Sequence, residues 1–247
     1  MPPSRAAWRS RKRSGGAHFA ARPAGAPRRA RPRVHGRGVN ARARGRLVAF
    51  EGLDGSGKST QVARLARALV DAGREVVATH EPSDGPTGAR IREMARSGRL
   101  LPPEQELAWF VEDRRAHVRD AIAPALAAGR VVVTDRYFLS TVAYQGARGL
   151  DWRAILAASE AEFPLPDLVL LLEIDPARGL ERVRARGAAL EGVFEREERL
   201  RRVAEIFAAV ERPWIARVAA EGAPDAVHAA VAARVRERCP ELLPAAP

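Results

Sequence analysis

Three observations predict an α/β domain of three layers, a central parallel sheet with helices on both faces. Short segments of strand length are apolar throughout, helical patterns separate them, and glycine clusters mark the junctions. Strands that are apolar at every position, rather than at alternate ones, belong in a parallel sheet buried on both sides.

The elements follow in order. Leu47-Val48-Ala49-Phe50 is a buried-type strand that runs into glycines. Lys58 to about Ala72 reads as a helix, because Val62, Leu65, Ala66 and Leu69 share one face and Gly73 stops it. Glu75–Thr79 is a second strand, and the Pro/Gly-rich stretch 82–88 is a loop. Thr87–Ser97 and the long Pro103–Ala128 region are helical in pattern, the latter with Pro124 near its end. Val131–Thr134 and Asp167–Ile174 are buried-type strands. Leu180–Gly187 is helical, Trp214–Val218 adds a last strand, and 224–237 is an amphipathic helix.

Charge divides the chain in two. Of its 42 basic residues, fourteen lie within residues 1–46, which contain no Asp or Glu. The remainder carries 28 basic against 30 acidic side chains, so the formal +12 belongs to the extension and the body is near −2. Residues 1–46 are Arg, Ala, Pro and Gly without a sustained period, a composition that cannot offset chain entropy by burial and is read as disordered. Residues 47–240 suffice for one domain, and 241–247 are set apart as a C-terminal tail. No run approaches the roughly 18 apolar residues of a membrane span. The single Cys239 excludes an intrachain disulfide and a multi-cysteine zinc cage, and suits a reducing, cytoplasmic compartment.

The segment Gly52-Leu53-Asp54-Gly55-Ser56-Gly57-Lys58-Ser59 fits G-x-x-x-x-G-K-[ST] between a predicted strand and a predicted helix. In that context the glycines let backbone N–H groups turn around a phosphate chain, and the helix adds its positive end. ATP-binding residues are therefore Gly52 through Ser59, with Thr60 beside them. Lys58 neutralises the β- and γ-phosphates, and the Ser59 hydroxyl helps to hold Mg²⁺. Lys58 is conspicuous because the chain has only one other lysine, Lys12. An arginine fork does not substitute for a compact ammonium under a phosphate. The fold class is thus a three-layer P-loop NTPase.

The strand 131–134 ends in Asp135-Arg136-Tyr137 and continues Phe138-Leu139-Ser140-Thr141-Val142-Ala143-Tyr144-Gln145-Gly146. An acid at the carboxyl end of a buried parallel strand lies beside the cradle and can help hold Mg²⁺, and an arginine next to it can clamp a second phosphoryl group. The string D-R-Y-x-x-S-T-x-A-Y-Q-G resembles that of bacterial thymidylate kinases, and the resemblance runs from about Leu47 to the C-terminal helix. Phe110-Val111-Glu112-Asp113-Arg114 resembles that family's F-x-x-x-R site, and Thr79-His80-Glu81-Pro82 its T-R-E-P-G loop, in which the proline is often cis.

The resemblance implies transfer of the γ-phosphoryl group of ATP to dTMP, with Mg²⁺ brought by ATP and held by Ser59 and Asp135. It implies that Phe110 stacks on thymine, Arg114 bonds a base carbonyl and Arg136 holds the acceptor phosphate. Asp54 contacts the 3′-hydroxyl, Thr141 and Gln145 line the base and sugar pocket, and Tyr144 closes against C2′. Glu81 and Pro82 belong to the same acceptor site. It also implies a homodimer packed through the long helices after the second strand. Such chemistry is positioning plus charge neutralisation, since an acceptor phosphate is already a nucleophile.

A lid is expected at about 184–199. Arg182, Arg184 and Arg186 match the family's R-x-R-x-R-G, and Arg184 and Arg186 are the catalytic candidates there. The D-R-[FI]-E that follows in the family reads Gly192-Val193-Phe194-Glu195 here, after the extra residues Ala188–Glu191. Either activity is reduced or Arg196 or Arg199 replaces the missing arginine. His80 stands where the family's arginine usually does. For residues 1–46, nucleic-acid binding and a transit peptide are less favoured than an inert extension or an upstream start codon. For the body, the alternatives to a dTMP kinase are a kinase for another nucleotide or deoxynucleoside, and a nucleotide-binding regulator that has lost turnover.

Overall fold

The computed structural model describes residues 44–98, 101–185 and 193–244. Residues 1–43 of the basic extension and Arg186 of the lid lie outside the described residues. Five strands form one parallel sheet: β1 (Arg46–Gly52), β2 (Val76–His80), β3 (Val131–Asp135), β4 (Leu168–Glu173) and β5 (Ile215–Ala219), in the order β2-β3-β1-β4-β5. The expected parallel sheet is present, with each strand within one or two residues of its expected ends. Trp214–Val218 is the last strand, shifted by one residue.

Strand alternation sends side chains to two buried layers. Leu47, Ala49, Val132, Val169 and Leu171 face one core, and Val48, Phe50, Val131, Val133, Leu168 and Leu170 face the other. The second layer is closed by α1 (Lys58–Asp71), through Val62, Leu65 and Leu69, and by α9 (Pro224–Arg238), through Val227, Val231 and Val235. Leu242 and Leu243, from the segment set apart as a tail, are buried in this layer too. The first layer holds α5 (Phe138–Gly146), α6 (Trp152–Glu162) and α8 (Val193–Ala209), through Phe138, Val142, Leu156, Val203 and Phe207. These three helices have no counterpart among the expected elements.

Two further differences have local causes. The Pro103–Ala128 region is not one helix: α3 (Pro103–His117) passes through a π-helical stretch, Val118–Ile122, into α4 (Ala123–Ala127). Pro124 has no N–H to donate one turn back, and a wider turn before it accommodates the missing bond. α2 runs Pro86–Ser97, so the loop after β2 ends earlier than expected. α7 is Pro176–Arg184 rather than Leu180–Gly187. Asp175 caps it by accepting from the N–H of Ala177 and Arg178 at 2.9 and 3.2 Å, and Pro176 presets the first helical position. No helix among the described residues is long and apolar enough to cross a membrane.

Candidate active site

The carboxyl ends of β1 and β3 are neighbours in register, with Phe50 opposite Asp135. Chain direction across the sheet reverses about β1, and a crevice at such a point is where open α/β sheets take ligands. The loop from Gly52 to Gly57 leaves β1 here and enters α1. Gly52 and Gly55 have φ of 138° and 86°. A Cβ on Gly55 would lie 2.2 Å from the Gly179 carbonyl oxygen, and one on Gly52 2.4 Å from that of Leu172. Both therefore combine a left-handed backbone with a close approach that only glycine permits.

Lys58 is buried beneath this loop, and Nζ donates to the carbonyls of Leu53 at 2.8 Å and Gly52 at 3.1 Å. Burial and then the nearby Arg136 push its ammonium down to about 8. Ser59 Oγ donates to Asp135 Oδ2 at 2.5 Å, which brings the two expected metal-binding oxygens together across α1 and β3. Thr60 is exposed beside them.

Arg136 bridges the cradle and α5. Nη2 lies 2.5 Å from Asp54 Oδ1, Nη1 donates to Ser140 Oγ at 2.7 Å, and the guanidinium sits 5.2 Å over the Tyr144 ring. Tyr144 Oη donates to Asp54 Oδ2 at 3.3 Å. Burial raises the Asp54 carboxyl, but Arg136 and Lys58 outweigh it and hold the group below its ordinary range. Burial, followed by the Asp54 charge, pushes the Tyr144 phenol up, so it remains a donor.

A second cluster lies around Glu81, whose peptide bond to Pro82 is cis. Arg114 is buried, with a side-chain exposure of 1%, and is 2.7 Å from Glu81 Oε2 through Nη2 and 2.8 Å through Nε. Nη2 also donates to Thr141 Oγ1 at 2.8 Å, while Nη1 is buried without a partner among the described residues. Burial raises Glu81, yet Arg114 and His117 together hold its pKa below the ordinary value. Gln145, one turn after Thr141 on α5, donates through Nε2 to Glu106 at 2.8 Å, and its buried Oε1 has no partner among the described residues. Phe110 is half-buried on α3 and belongs to neither core layer.

The structure thus brings Lys58, Ser59, Asp54, Asp135, Arg136 and Tyr144 into one network, and Glu81, Pro82, Arg114 and Thr141 into another, with Gln145 beside it. Arg184 is exposed on the last turn of α7. Arg182, matched to the lid pattern, donates to Ala220 O at 2.8 Å and Glu221 O at 2.7 Å, and its Nη1 is 3.5 Å from Gly55 O in the cradle. His80 Nδ1 is 2.8 Å from Pro82 O. Of the replacement candidates, Arg199 lies on α8, and the side chain of Arg196 is outside the described residues.

Several supporting residues escape sequence motifs. His117 links Thr79 Oγ1 at 2.7 Å to Glu81 Oε1 at 3.1 Å, and Asp113 accepts from Ser83 N at 2.7 Å and Ser83 Oγ at 2.6 Å. Helical spacing was the available signal, since Phe110, Asp113, Arg114 and His117 fall on one face. Glu51, an acid closing an apolar strand, was another.

The thymidylate kinase family model matches residues 50–231. A thymidylate kinase of Akkermansia muciniphila is 44% identical over 200 residues, covering 81% of this chain and 96% of that protein. One of Xanthomonas campestris pv. campestris is 46% identical over 198 residues, covering 78% and 86%. A phosphate cradle facing a second arginine-lined cleft, on a parallel sheet matched over this length, places the chain in the thymidylate kinase family.

Proposed function

We propose that the protein transfers the γ-phosphoryl group of ATP to dTMP, giving ADP and dTDP for dTTP synthesis. The observation that carries the acceptor is the pair of buried, unpartnered polar atoms on Arg114 and Gln145. Arg114 Nη1 is a donor and Gln145 Oε1 an acceptor. Thymine answers with a C4 carbonyl and an N3–H, whereas cytosine presents an amino group and a bare N3, the reverse order. A wrong base leaves each buried group unsatisfied, at about 1–3 kcal/mol apiece. Phe110 stacks on the ring, Thr141 helps to wall the pocket, and Tyr144 lies against C2′, where a ribose hydroxyl would crowd it. Glu81 and Pro82 shape the floor and hold Arg114 in place.

In the reaction an oxygen of the dTMP phosphate attacks the γ-phosphorus, and the bond to the β–γ bridging oxygen breaks to release ADP. No strong base is needed, because the attacking oxygen is already anionic. The backbone of Gly52, Leu53, Asp54, Gly55, Ser56, Gly57, Lys58, Ser59 and Thr60 wraps the donor phosphates. Lys58 exchanges its carbonyl partners for β- and γ-oxygens, whose charge strengthens its hold on the proton. Arg136 holds the acceptor phosphate, and Asp54, freed from it, takes the 3′-hydroxyl. Arg184 and Arg186 bring cations from the lid. The hydroxyl–carboxylate pair of Ser59 and Asp135 is an all-oxygen donor set that suits Mg²⁺; these two residues would hold it, and it would supply charge neutralisation when bound with ATP. The resemblance further supports a homodimer and cysteine usage a cytoplasmic one, while nucleic-acid binding by residues 1–46 is not favoured because a low-complexity extension need carry no function.

ADP release from ATP and Mg²⁺ with dTMP, dUMP, CMP, UMP and thymidine as separate acceptors tests the reading. The highest kcat/KM is expected with dTMP. Preference for CMP or UMP would assign the cleft to another nucleotide, and ATP binding without turnover would make the protein a regulator.

A further inference from the structure

Glu51 belongs to none of the motifs, yet it is a fully buried acid near the carboxyl end of β1. A charge in such a place has to be matched by hydrogen bonds. Glu51 Oε1 accepts from the backbone N–H of Tyr137 at 2.9 Å and of Ser140 at 3.1 Å, and Oε2 accepts from the Ser140 hydroxyl at 2.5 Å. α5 begins at Phe138, and the Tyr137 side chain caps nothing. The two amides are those that a capping box satisfies with two side chains of the helix itself. Here one carboxylate from the adjacent strand serves both, at the positive end of the helix.

The same contacts reach Arg136. With its hydrogen committed to Glu51, the Ser140 hydroxyl turns lone pairs toward Arg136, and Nη1 donates to it at 2.7 Å. Arg136 has φ of 71°, a left-handed conformation that a non-glycine residue keeps only where its surroundings over-determine it. Its N–H donates to Phe50 O at 2.9 Å, and Thr134 Oγ1 donates to its carbonyl at 2.8 Å. The backbone is fixed by β1 and β3, and the side chain is aimed by Ser140 and Asp54.

We propose that Glu51 is a positioning residue for acceptor-phosphate binding: through Ser140 it aims the Arg136 guanidinium, and through the two α5 amides it sets the helix that carries Thr141, Tyr144 and Gln145. This rests on the reading of Arg136 as the ligand of the acceptor phosphate. Glu51 itself touches no substrate. The carboxylate matters beyond its shape, because in Glu51→Gln an amide N–H would meet the Ser140 hydroxyl as a second donor and one of the acids balancing Arg136, beside Asp54, would be gone. Ser140→Ala removes the relay and leaves both backbone caps intact.

The test measures dTMP and ATP affinity by calorimetry, together with melting temperature, in Glu51→Gln, Ser140→Ala and Arg136→Ala, and in each of the first two combined with Arg136→Ala. Glu51→Gln and Ser140→Ala are each expected to weaken dTMP binding about tenfold, the scale of one hydrogen bond to a charged group, and to leave ATP affinity within about twofold. Ser140→Ala should not weaken dTMP further once Arg136 is alanine, because its coupling runs through that side chain, and Glu51→Gln should keep only the smaller loss that acts through the α5 amides. A folded Ser140→Ala variant with unchanged dTMP affinity, or fully additive losses in the Arg136→Ala background, overturns the proposal. If Arg136→Ala alone leaves dTMP binding intact, the acceptor-site reading fails first and takes the proposal with it.

Discussion

Arg114→Lys separates recognition of the base from support of the fold. Arg114 meets Glu81 Oε2 through two nitrogens and Thr141 through one of them, which leaves Nη1 for the ligand. Lysine keeps a cation against a buried carboxylate, so the cost of about 3–5 kcal/mol for leaving one partner of a buried pair unmatched is avoided. A single ammonium cannot meet Glu81, Thr141 and a base carbonyl at once. The lost charge-assisted bond is worth about 1.5–3 kcal/mol, which converts to a rise of roughly tenfold to a hundredfold in the KM for dTMP. The KM for ATP should stay within about twofold, since the cradle is untouched. Steady-state ADP release with each substrate varied in turn measures both, beside thermal unfolding as a control. An unchanged KM for dTMP, or equal rises for both substrates, would refute the assignment of Nη1 to the base.

Lys58→Ala removes the cation beneath the cradle and should lower kcat by about a thousandfold or more in the same assay; undiminished turnover would discredit the cradle. Tyr144→Ala opens the space beside C2′, and the preference for dUMP over UMP should fall by about tenfold. An unchanged ratio would place Tyr144 in packing alone. Burial pushes the Glu51 carboxyl up to about 7 from an ordinary 4.5. A group with a raised folded pKa supports the fold below its unfolded pKa, and that support is lost as pH rises through the folded value. Between pH 4.5 and 8 the wild type should therefore lose about 3 kcal/mol of stability relative to Glu51→Gln. Denaturant unfolding at both ends of that window checks it, and a difference independent of pH would contradict it.

The sheet and the cradle were legible because their signals are local. Val131–Val133 and Leu168–Leu172 are apolar at every position, which only a doubly covered strand requires, and the glycines of the cradle mark backbone that other residues cannot adopt. The helices on the first face were harder to see. α6, Trp152–Glu162, is dominated by alanine and so has a blurred apolar stripe, although Asp151 accepts from the N–H of Arg153 and Ala154 as an N-cap. α8 begins next to the extra residues Ala188–Glu191, where the family pattern offers no register. Pro124 was visible as a helix breaker, but its compensation by a π turn depends on the packing of α3 and α4.

The acceptor site shows the same division. Phe110, Arg114, Arg136 and Tyr144 stand in ordered motifs, so a resemblance finds them. Glu51, Asp113 and His117 act through partners 30 to 89 positions distant in sequence, and their role emerges only when β1, the Glu81 loop, α3 and α5 meet. Arg182 fits the lid pattern, and its donors join α7 to the carbonyls of Ala220 and Glu221 after β5 and to Gly55 O of the cradle.

The central claim is that a donor from Arg114 and an acceptor from Gln145 select the base of the phosphate acceptor. Competition tests it most directly: ATP labelled in the γ-position is supplied with equimolar dTMP and dCMP, and the labelled diphosphates are separated and counted. Their ratio is the ratio of kcat/KM values, and dTDP should exceed dCDP by about a hundredfold or more. Equal labelling of the two products, or an excess of dCDP, would contradict the account.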